Sequence, residues 1–224
     1  MSQLNVSLLR EIKVGILEDI VNKLVACSNR MVDDYIKDNK CIENNEVVIK
    51  GYLHEDYLSN SVITREFGLD NYLFVLENPE NFSNGRYKGV VDLKVYLLTL
   101  AHKDKKAFFN IECKRLDGGN TLNHEYIKNG ICRFTGNNPK YTSRYNESAM
   151  LAFLVQDISV EKSIEGINLL LKKEYQQASC TQKEITTSDL TDIYISHHIK
   201  NSIEHVVLLH AFIAYSSIIS RKSN

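Results

Sequence analysis

The chain has 224 residues, 43% of them apolar and 25% charged, and these proportions are typical of one soluble globular domain. Its five cysteines form an odd set without a C-x-x-C pair or a histidine at zinc-ligand spacing, which predicts reduced thiols in a cytoplasmic protein. The formal net charge is −1, but the stretch from Arg86 to Arg144 has twelve Lys and Arg against five Asp and Glu, which suits a polyanionic partner.

Apolar residues at helical spacing predict an amphipathic helix from Leu4 to Leu24, and the charges within it argue against a secretory signal. A second helical stretch is predicted from Met31 to Lys37 and a third from Val47 to Ile63. The segment from Asp70 to Arg86 contains Pro79 and several Asn, so we interpret it as loop apart from a short apolar run.

Two strands are predicted next, because Val90 to Leu100 and Ala107 to Lys114 are rich in β-branched and apolar residues on either side of a polar turn. They are expected to form a hairpin. The unbroken apolar run from Ala149 to Val155 predicts a central strand that is covered on both faces.

The remaining elements follow from apolar spacing and from glycine or proline breaks. The run from Val206 to Ser220 is too short to span a membrane, so it is interpreted as part of a buried helix. The remaining predicted elements are a helix from Leu122 to Phe134, a helix from Val160 to Tyr175, a strand from Asp192 to His198 and a closing helix from Ser202 to Ile219.

The hairpin carries the residues that predict chemistry. Side chains alternate along a strand, so Glu112 and Lys114 point to the same face. On the preceding strand Asp92 interrupts an apolar run, where an unpaired carboxylate would be costly to bury. A divalent cation shared by Asp92 and Glu112 would offset that charge, since Mg²⁺ prefers hard oxygen ligands.

The triplet of an acid, any residue and Lys is weak evidence on its own, because it also occurs at four other places in this chain. Only Glu112 lies at the end of an apolar strand, after a strand with its own isolated Asp and before glycines, an amphipathic helix and a buried strand. The four other occurrences are Glu11 to Lys13, Asp38 to Lys40, Asp92 to Lys94 and Asp104 to Lys106.

With Val91-Asp92 on one strand and Ile111-Glu112-Cys113-Lys114 on the next, the chain resembles the PD-(D/E)XK, or restriction-endonuclease-like, nuclease superfamily. Val91 stands where the motif has its proline. The resemblance covers roughly Val47 to Gln156. It implies an α/β fold with an αβββαβ core, in which a mixed central sheet is flanked by helices, with added N-terminal helices and a C-terminal helix.

The resemblance also implies a catalytic trio of Asp92, Glu112 and Lys114. The two acids and the backbone carbonyl of Cys113 would bind Mg²⁺, with Mn²⁺ as a substitute, and Lys114 would serve the attacking water. An acid from the preceding helix often assists in this superfamily, and Glu55 matches that position loosely.

The implied activity is a DNA endonuclease in restriction, phage defence or repair, with residues 1–45 as a helical segment packed on a nuclease domain of residues 46–224. Four basic residues near the trio are candidates for contacts with the nucleic acid. Specificity would come from loops, from a homodimer formed through the apolar N-terminal helix, or from a partner protein. The candidate contacts are Lys128, Arg133, Lys140 and Arg144.

Other interpretations stay open. Asp92 would also be satisfied by a plain salt bridge with Lys94, Lys114 or Arg86. The chain would then be a catalytically inactive module, on the same fold, that binds nucleic acid or forms a complex. A zinc site among the C-terminal histidines is disfavoured, because no cysteine or acid stands at suitable spacing.

Overall fold

The computed structural model describes residues 3–83, 86–101, 104, 107–141, 145–182 and 193–220. In this part of the chain helices precede the strands of one mixed sheet and lie between some of them. The helices are α1 (Gln3–Lys37), α2 (Glu46–Tyr52), α3 (Ser61–Glu66), α4 (Leu98–Ala101), α5 (Asn120–Tyr126), α6 (Cys132–Phe134) and α7 (Val160–Leu170). The strands are β1 (Tyr72–Ser83), β2 (Arg86–Leu97), β3 (Phe108–Leu116), β4 (Glu147–Leu154), β5 (Thr181–Gln182), β6 (Ile193–Lys200) and β7 (Glu204–Ala214).

Three π-helical turns extend these helices. Leu53–Leu58 follows α2, Ile127–Ile131 joins α5 to α6, and Leu171–Tyr175 follows α7. Such turns shift the phase of the side chains relative to a regular α-helix and are frequent at functional sites.

The sheet has the strand order β1-β2-β3-β4-β7-β6-β5. β1, β2 and β3 are antiparallel neighbours, whereas β3, β4 and β7 run parallel to one another. β6 is antiparallel to β7, and the two-residue β5 is antiparallel to β6. The chain is therefore α/β with a mixed sheet flanked by helices, as the sequence predicts at that level.

The two faces of the sheet bury separate cores. One face packs against α1, α2 and the π-helical turn that follows α2, through residues such as Leu24, Ile49 and Leu53. The other face packs against α5, α6, α7 and their π-helical turns, through residues such as Tyr126 and Ile167. β4 is buried along its whole length between these layers, which confirms the predicted central strand.

The two predicted N-terminal helical stretches are one continuous helix, α1. The expectation of a loop from Asp70 to Arg86 is wrong over most of its length, because Tyr72 to Ser83 forms β1. β1 is an edge strand, and an edge position tolerates Pro79 because no second neighbour needs its backbone N–H. The polar residues around Pro79 therefore do not break the strand.

The predicted closing helix from Ser202 to Ile219 is also wrong. Residues Glu204 to Ala214 form β7, which lies between β4 and β6. Both faces of β7 are covered, so its apolar run lacks the alternation that marks a half-exposed strand. None of the helices in the described residues has the length and apolar character needed to cross a membrane.

Candidate active site

The candidate site lies where β2 and β3 separate. Their recorded pairing ends at Leu93 and Ile111, one residue before Asp92 and Glu112 would face each other. Beyond this point the Asp92 Oδ2 accepts the backbone N–H of Cys113 at 2.8 Å. The carboxylate thus takes the place of a backbone acceptor and fixes Asp92 beside β3.

A backbone distortion lies on the other side of Asp92. The pairing of β1 with β2 is interrupted at Glu77 and Asp92, which lie between two regular pairs, and Glu77 has a φ of 50° in the left-handed region. Residues other than glycine adopt this conformation at a cost, and such residues cluster at functional sites. The Glu77 carboxylate lies 3.2 Å from the ammonium of Lys50.

Helix α2 supplies two charged side chains to this gap in the sheet. Asn45 caps the helix by accepting the N–H of Val47 at 3.0 Å, so that the first turn carries Glu46. Glu46 and Lys50 are four residues apart and share a helix face. Lys50 Nζ lies 2.5 Å from Asp92 Oδ1, while Glu46 Oε1 accepts a hydrogen bond from Lys114 at 2.8 Å.

The ammonium of Lys114 is surrounded by four oxygen atoms. It lies 2.6 Å from the backbone O of Cys113, 2.8 Å from Glu46 Oε1, 3.0 Å from Glu112 Oε1 and 3.6 Å from Asp92 Oδ2. Three carboxylates and one carbonyl therefore converge on a single cation. In this conformation the positive charge among these oxygens is the ammonium of Lys114.

Glu112 is fully buried and is held from the opposite side by the helical layer. Arg133 Nη1 lies 2.8 Å from its Oε1, and the Tyr141 hydroxyl donates to its Oε2 at 2.7 Å. Burial is the largest influence on Glu112 and, with the charge of Asp92, raises its pKa to about 7 despite the nearby Lys114 and Arg133. Glu112 thus changes protonation near neutral pH.

Asp92 behaves in the opposite way. Burial by itself would raise its pKa, but the charges of Lys114 and Lys50 outweigh burial and, with the Cys113 N–H, lower the pKa below its ordinary value. Two neighbouring buried carboxylates therefore have pKa values that are pushed apart, which is common at sites where one acid stays ionised and another exchanges a proton.

The π-helical turn between α5 and α6 brings the helical layer close to Lys114. At Gly130 a Cβ atom would overlap the methyl group of Met150 and would lie 3.6 Å from the Cγ of Lys114. A larger residue here would require the Met150 methyl group to move. Arg133, three residues after Gly130, contacts Glu112. The π-helical turn therefore positions both Gly130, which lies against Lys114, and the arginine that pairs with Glu112.

The structure brings together Asp92, Glu112, Lys114 and the carbonyl of Cys113. It does not bring Glu55 to them: its side chain is 68% exposed and pairs with His54 Nδ1 at 2.8 Å. The proposal of Glu55 as a metal ligand is therefore corrected, because the helix acid at the site is Glu46. α2 is followed by a π-helical turn, and Glu55 lies on that turn.

The predicted contacts with nucleic acid are distributed differently. Lys128 and Lys140 are exposed at the surface. Arg133 is instead drawn inward to Glu112, and its side chain is 24% exposed. Arg144 lies outside the described residues.

Sequence reasoning missed Glu46, Lys50 and Tyr141. The sequence does indicate the two helix residues. Asn45 is a typical helix cap, and Glu46 and Lys50 are four residues apart, so they lie on one face of the helix that follows. Tyr141 has no such signal, because it reaches Glu112 only through the fold. Lys94 was predicted as one alternative salt-bridge partner of Asp92, but it contacts Asn78 at 2.7 Å. The lysine that pairs most closely with Asp92 is Lys50.

The C-terminal histidines form a separate buried network. His210 Nδ1 contacts the Tyr126 hydroxyl at 2.8 Å, and Ser196 Oγ lies 2.7 Å from both His210 Nε2 and His198 Nε2. Cys180 Sγ lies 3.5 Å from His210 Nε2. Burial lowers the pKa of His198 to about 4 and that of His210 to about 3, so both are neutral. These contacts satisfy polar groups in the core, although the buried Nδ1 of His198 has no hydrogen-bond partner within the described residues.

The donor set around Lys114 fits Mg²⁺ in chemical kind, because carboxylate and carbonyl oxygens are its preferred protein ligands. In the present arrangement Lys114 fills the centre, and among the described residues no group of three or more His, Cys, Asp or Glu is arranged to hold a metal ion. A metal would therefore enter only as the ammonium of Lys114 leaves.

Comparisons with known proteins give no match, whether with family models, curated proteins or solved structures. The functional assignment of this chain therefore depends on the geometry and charge of the residues around Lys114.

Proposed function

We propose that this chain is a metal-dependent nuclease that hydrolyses phosphodiester bonds, acting on DNA as an endonuclease in restriction, phage defence or repair. The observation that carries the proposal is the convergence of oxygens from Glu46, Asp92, Glu112 and Cys113 on the ammonium of Lys114. A place that holds four oxygens around one positive charge is suited to a hard divalent cation.

The order of elements supports a restriction-endonuclease-like core. α2, β1, β2, β3, α5 and β4 follow one another as in the αβββαβ arrangement, with short helices and turns between some of them. The first four strands are neighbours in the sheet in that same order. The trio of Asp92, Glu112 and Lys114 lies on β2 and β3, where the superfamily resemblance expects it.

Glu46, Asp92, Glu112 and the Cys113 carbonyl would hold Mg²⁺, and Mn²⁺ would substitute because it also accepts carboxylate and carbonyl oxygens. When bound, the metal would supply a water of lowered pKa and stabilisation of negative charge at the scissile phosphate. Glu112 must lose its proton to serve as a ligand, which its pKa of about 7 allows at neutral pH.

The chain's own groups have distinct tasks in this proposal. Lys114, once displaced from the carboxylates, would orient a water and offset charge on the phosphate. Arg133 and Tyr141 fix the orientation of the Glu112 carboxylate. Lys50 keeps Asp92 ionised and in place.

Binding of DNA is proposed through the basic stretch of the sequence, with exposed Lys128 and Lys140 as contacts to the phosphate backbone. Specificity is proposed to come from a homodimer or a partner protein. The N-terminal turns of α1 expose Leu8, Leu9 and Ile12 by about half, and these apolar side chains suit such an interface.

One observation favours a second candidate function, a catalytically inactive module that binds nucleic acid or forms a complex. The buried carboxylates are already paired, Asp92 with Lys50 and Glu112 with Lys114 and Arg133. A network of ion pairs that needs no metal is also what a purely structural role would produce.

The deciding experiment incubates purified protein with supercoiled plasmid, single-stranded DNA and RNA in Mg²⁺, Mn²⁺ or EDTA. Asp92→Asn, Glu112→Gln and Lys114→Ala are expected to abolish cleavage, and the matched control Glu55→Gln is expected to cleave like the wild type. Cleavage that survives the first three substitutions would point to another site or a contaminant. Nucleic-acid binding without cleavage in every metal would favour the inactive module.

A further inference from the structure

A cleft opens at the end of the sheet where the parallel strands β4 and β7 finish. This cleft has a volume of about 880 Å³, and Asn44, Gln156, Asp157, Ser216 and Ser217 are among the residues that line it. In open α/β sheets ligands bind outside the carboxyl ends of the strands. The cleft has no part in the chemistry proposed above.

The walls of the cleft are fixed by backbone hydrogen bonds. Ile42 N donates to Ile218 O at 2.7 Å, and Ser220 N donates to Ile42 O at 2.8 Å. Tyr215 N donates to Leu154 O at 2.9 Å, which ties the segment after β7 to the end of β4. The cleft is therefore preformed, and a ligand would not have to order it.

Arg115 connects the cleft to the candidate active site. It follows Lys114 on β3, and its Nη1 donates to the backbone O of Asn44 at 2.6 Å and to Asn44 Oδ1 at 2.7 Å. Asn44 lines the cleft and stands two residues before Glu46. The segment from Asn44 to Glu46 thus supplies both a residue that lines the cleft and a carboxylate that contacts Lys114.

Arg115 differs from the other cations near the site. Lys50, Lys114 and Arg133 each pair with a carboxylate. Within the described residues Arg115 has no ion pair, and its buried Nε has no hydrogen-bond partner. A partly buried guanidinium with only neutral acceptors attracts an anion, and its planar fork suits a phosphate.

The lining of the cleft is mostly uncharged. Ser216, Ser217 and Ser220 offer hydroxyl groups, Asn44 and Gln156 offer amides, and Asp157 is the carboxylate among the lining residues. Hydroxyl and amide groups bind sugars and base edges, whereas a carboxylate disfavours a phosphate in the same place. The cleft therefore suits the nucleoside portion of a strand, with the phosphate outside it.

We propose that this cleft is a subsite for the substrate strand, in which Arg115 binds a phosphate next to the scissile one and the adjoining nucleoside enters the cleft. The inference rests on the proposed function, since it assumes that the substrate is a nucleic acid. It adds a second contact point that fixes the strand relative to the Lys114 site.

The test uses single-stranded DNA oligonucleotides of increasing length with the full chain. Arg115→Gln removes the phosphate contact, Ser217→Trp fills the cleft from an exposed position, and Lys172→Gln is the control that removes an exposed charge on the turn after α7. Cleavage is measured as kcat/KM in Mg²⁺. Binding is measured by fluorescence anisotropy in the Asp92→Asn background, and folding by thermal melting.

The wild type and the control are expected to gain in kcat/KM and affinity as the oligonucleotide becomes long enough to reach the cleft. Arg115→Gln is expected to lose about tenfold on long oligonucleotides, to change little on the shortest ones, and to reduce the salt slope of binding by about 0.7, the value for one phosphate contact on a single strand. Ser217→Trp is expected to remove the gain with length. Unchanged length dependence in a folded Arg115→Gln protein would overturn the subsite.

Failure of the two proposals can be told apart. If the wild type cleaves nothing in either metal, the nuclease proposal fails, and the binding measurements still decide the subsite. If the wild type cleaves but Arg115→Gln and Ser217→Trp match it at every length, the subsite fails and the nuclease proposal stands.

Discussion

The carboxylate of Glu112 and the guanidinium of Arg133 form an ion pair at 2.8 Å that joins β3 to the short helix α6. Glu112 is therefore shared between the sheet and the helical layer. Any ligand that recruits this carboxylate must compete with Arg133, Tyr141 and Lys114, so the local stability of the protein and its affinity for a cation depend on the same contacts.

The first prediction concerns pH and stability. The pKa of Glu112 is about 7 in the folded protein, whereas an unfolded glutamate titrates near pH 4.3. The folded state binds the proton more tightly, so the ionisation of Glu112 costs stability as pH rises through this window. The free energy of unfolding of Glu112→Gln, relative to wild type, should rise by about 2 kcal/mol from pH 5 to pH 8. Urea titrations in EDTA measure it, and a pH-independent difference would contradict the raised pKa.

The second prediction concerns the ligands of the proposed metal. Mg²⁺ or Mn²⁺ should raise the melting temperature of the wild type by mass action. Glu46→Gln should weaken this effect about tenfold in apparent affinity, since it removes one oxygen ligand. Glu55→Gln is the control and should respond like the wild type. Equal responses of the two variants would show that Glu46 is not a ligand.

The third prediction concerns Lys50. Replacement by Met leaves the buried carboxylate of Asp92 without its closest cation, and breaking such a pair costs about 3–5 kcal/mol. The pKa of Asp92 should rise toward its ordinary value because one of the charges that lowers it is gone. Denaturant unfolding measures the loss, with Lys172→Met as the surface control. A loss below that of the control would contradict the role of Lys50.

The fourth prediction concerns Gly130. Ala at this position would force the methyl group of the buried Met150 side chain to move, whereas its Cβ would make an ordinary van der Waals contact with Lys114, so Gly130→Ala should destabilise the protein by about 1 kcal/mol. Gly15→Ala is a matched control in α1, where a Cβ would meet nothing within 4 Å. That control should be neutral or slightly stabilising, because Ala favours helices. Similar unfolding curves for the two variants would rule out the close approach at Gly130.

The central part of the fold could be predicted from the sequence because its signals are local. β4 contains the unbroken apolar run that begins at Ala149, and the sequences of β2 and β3 are rich in β-branched and apolar residues on either side of a polar segment. The site residues on these strands followed from alternation, which places Glu112 and Lys114 on one face whatever the rest of the chain does. Asp92 stood out because a carboxylate in an apolar strand needs a partner.

The failures have a different cause. The residues of β7 were predicted to form a helix because a strand that is covered on both faces shows no alternation of polar and apolar residues. Their strand conformation is determined by pairing with the neighbours β4 and β6. Arg133 was predicted as a surface contact because nothing local shows that a π-helical turn directs it inward. Tyr141 contacts Glu112 only because the fold brings together two segments that are distant in sequence, and no pattern within one segment could reveal that.

The position of β7 in the sheet has a consequence for synthesis of the protein. β4 receives its second neighbour only from residues Glu204 to Ala214, which lie 50 or more residues further along the chain. A nascent chain that has not yet reached Ala214 therefore presents one edge of its most apolar strand without a partner. During translation this open edge is where we expect chaperones to bind, or mispairing to begin, until the last strand docks.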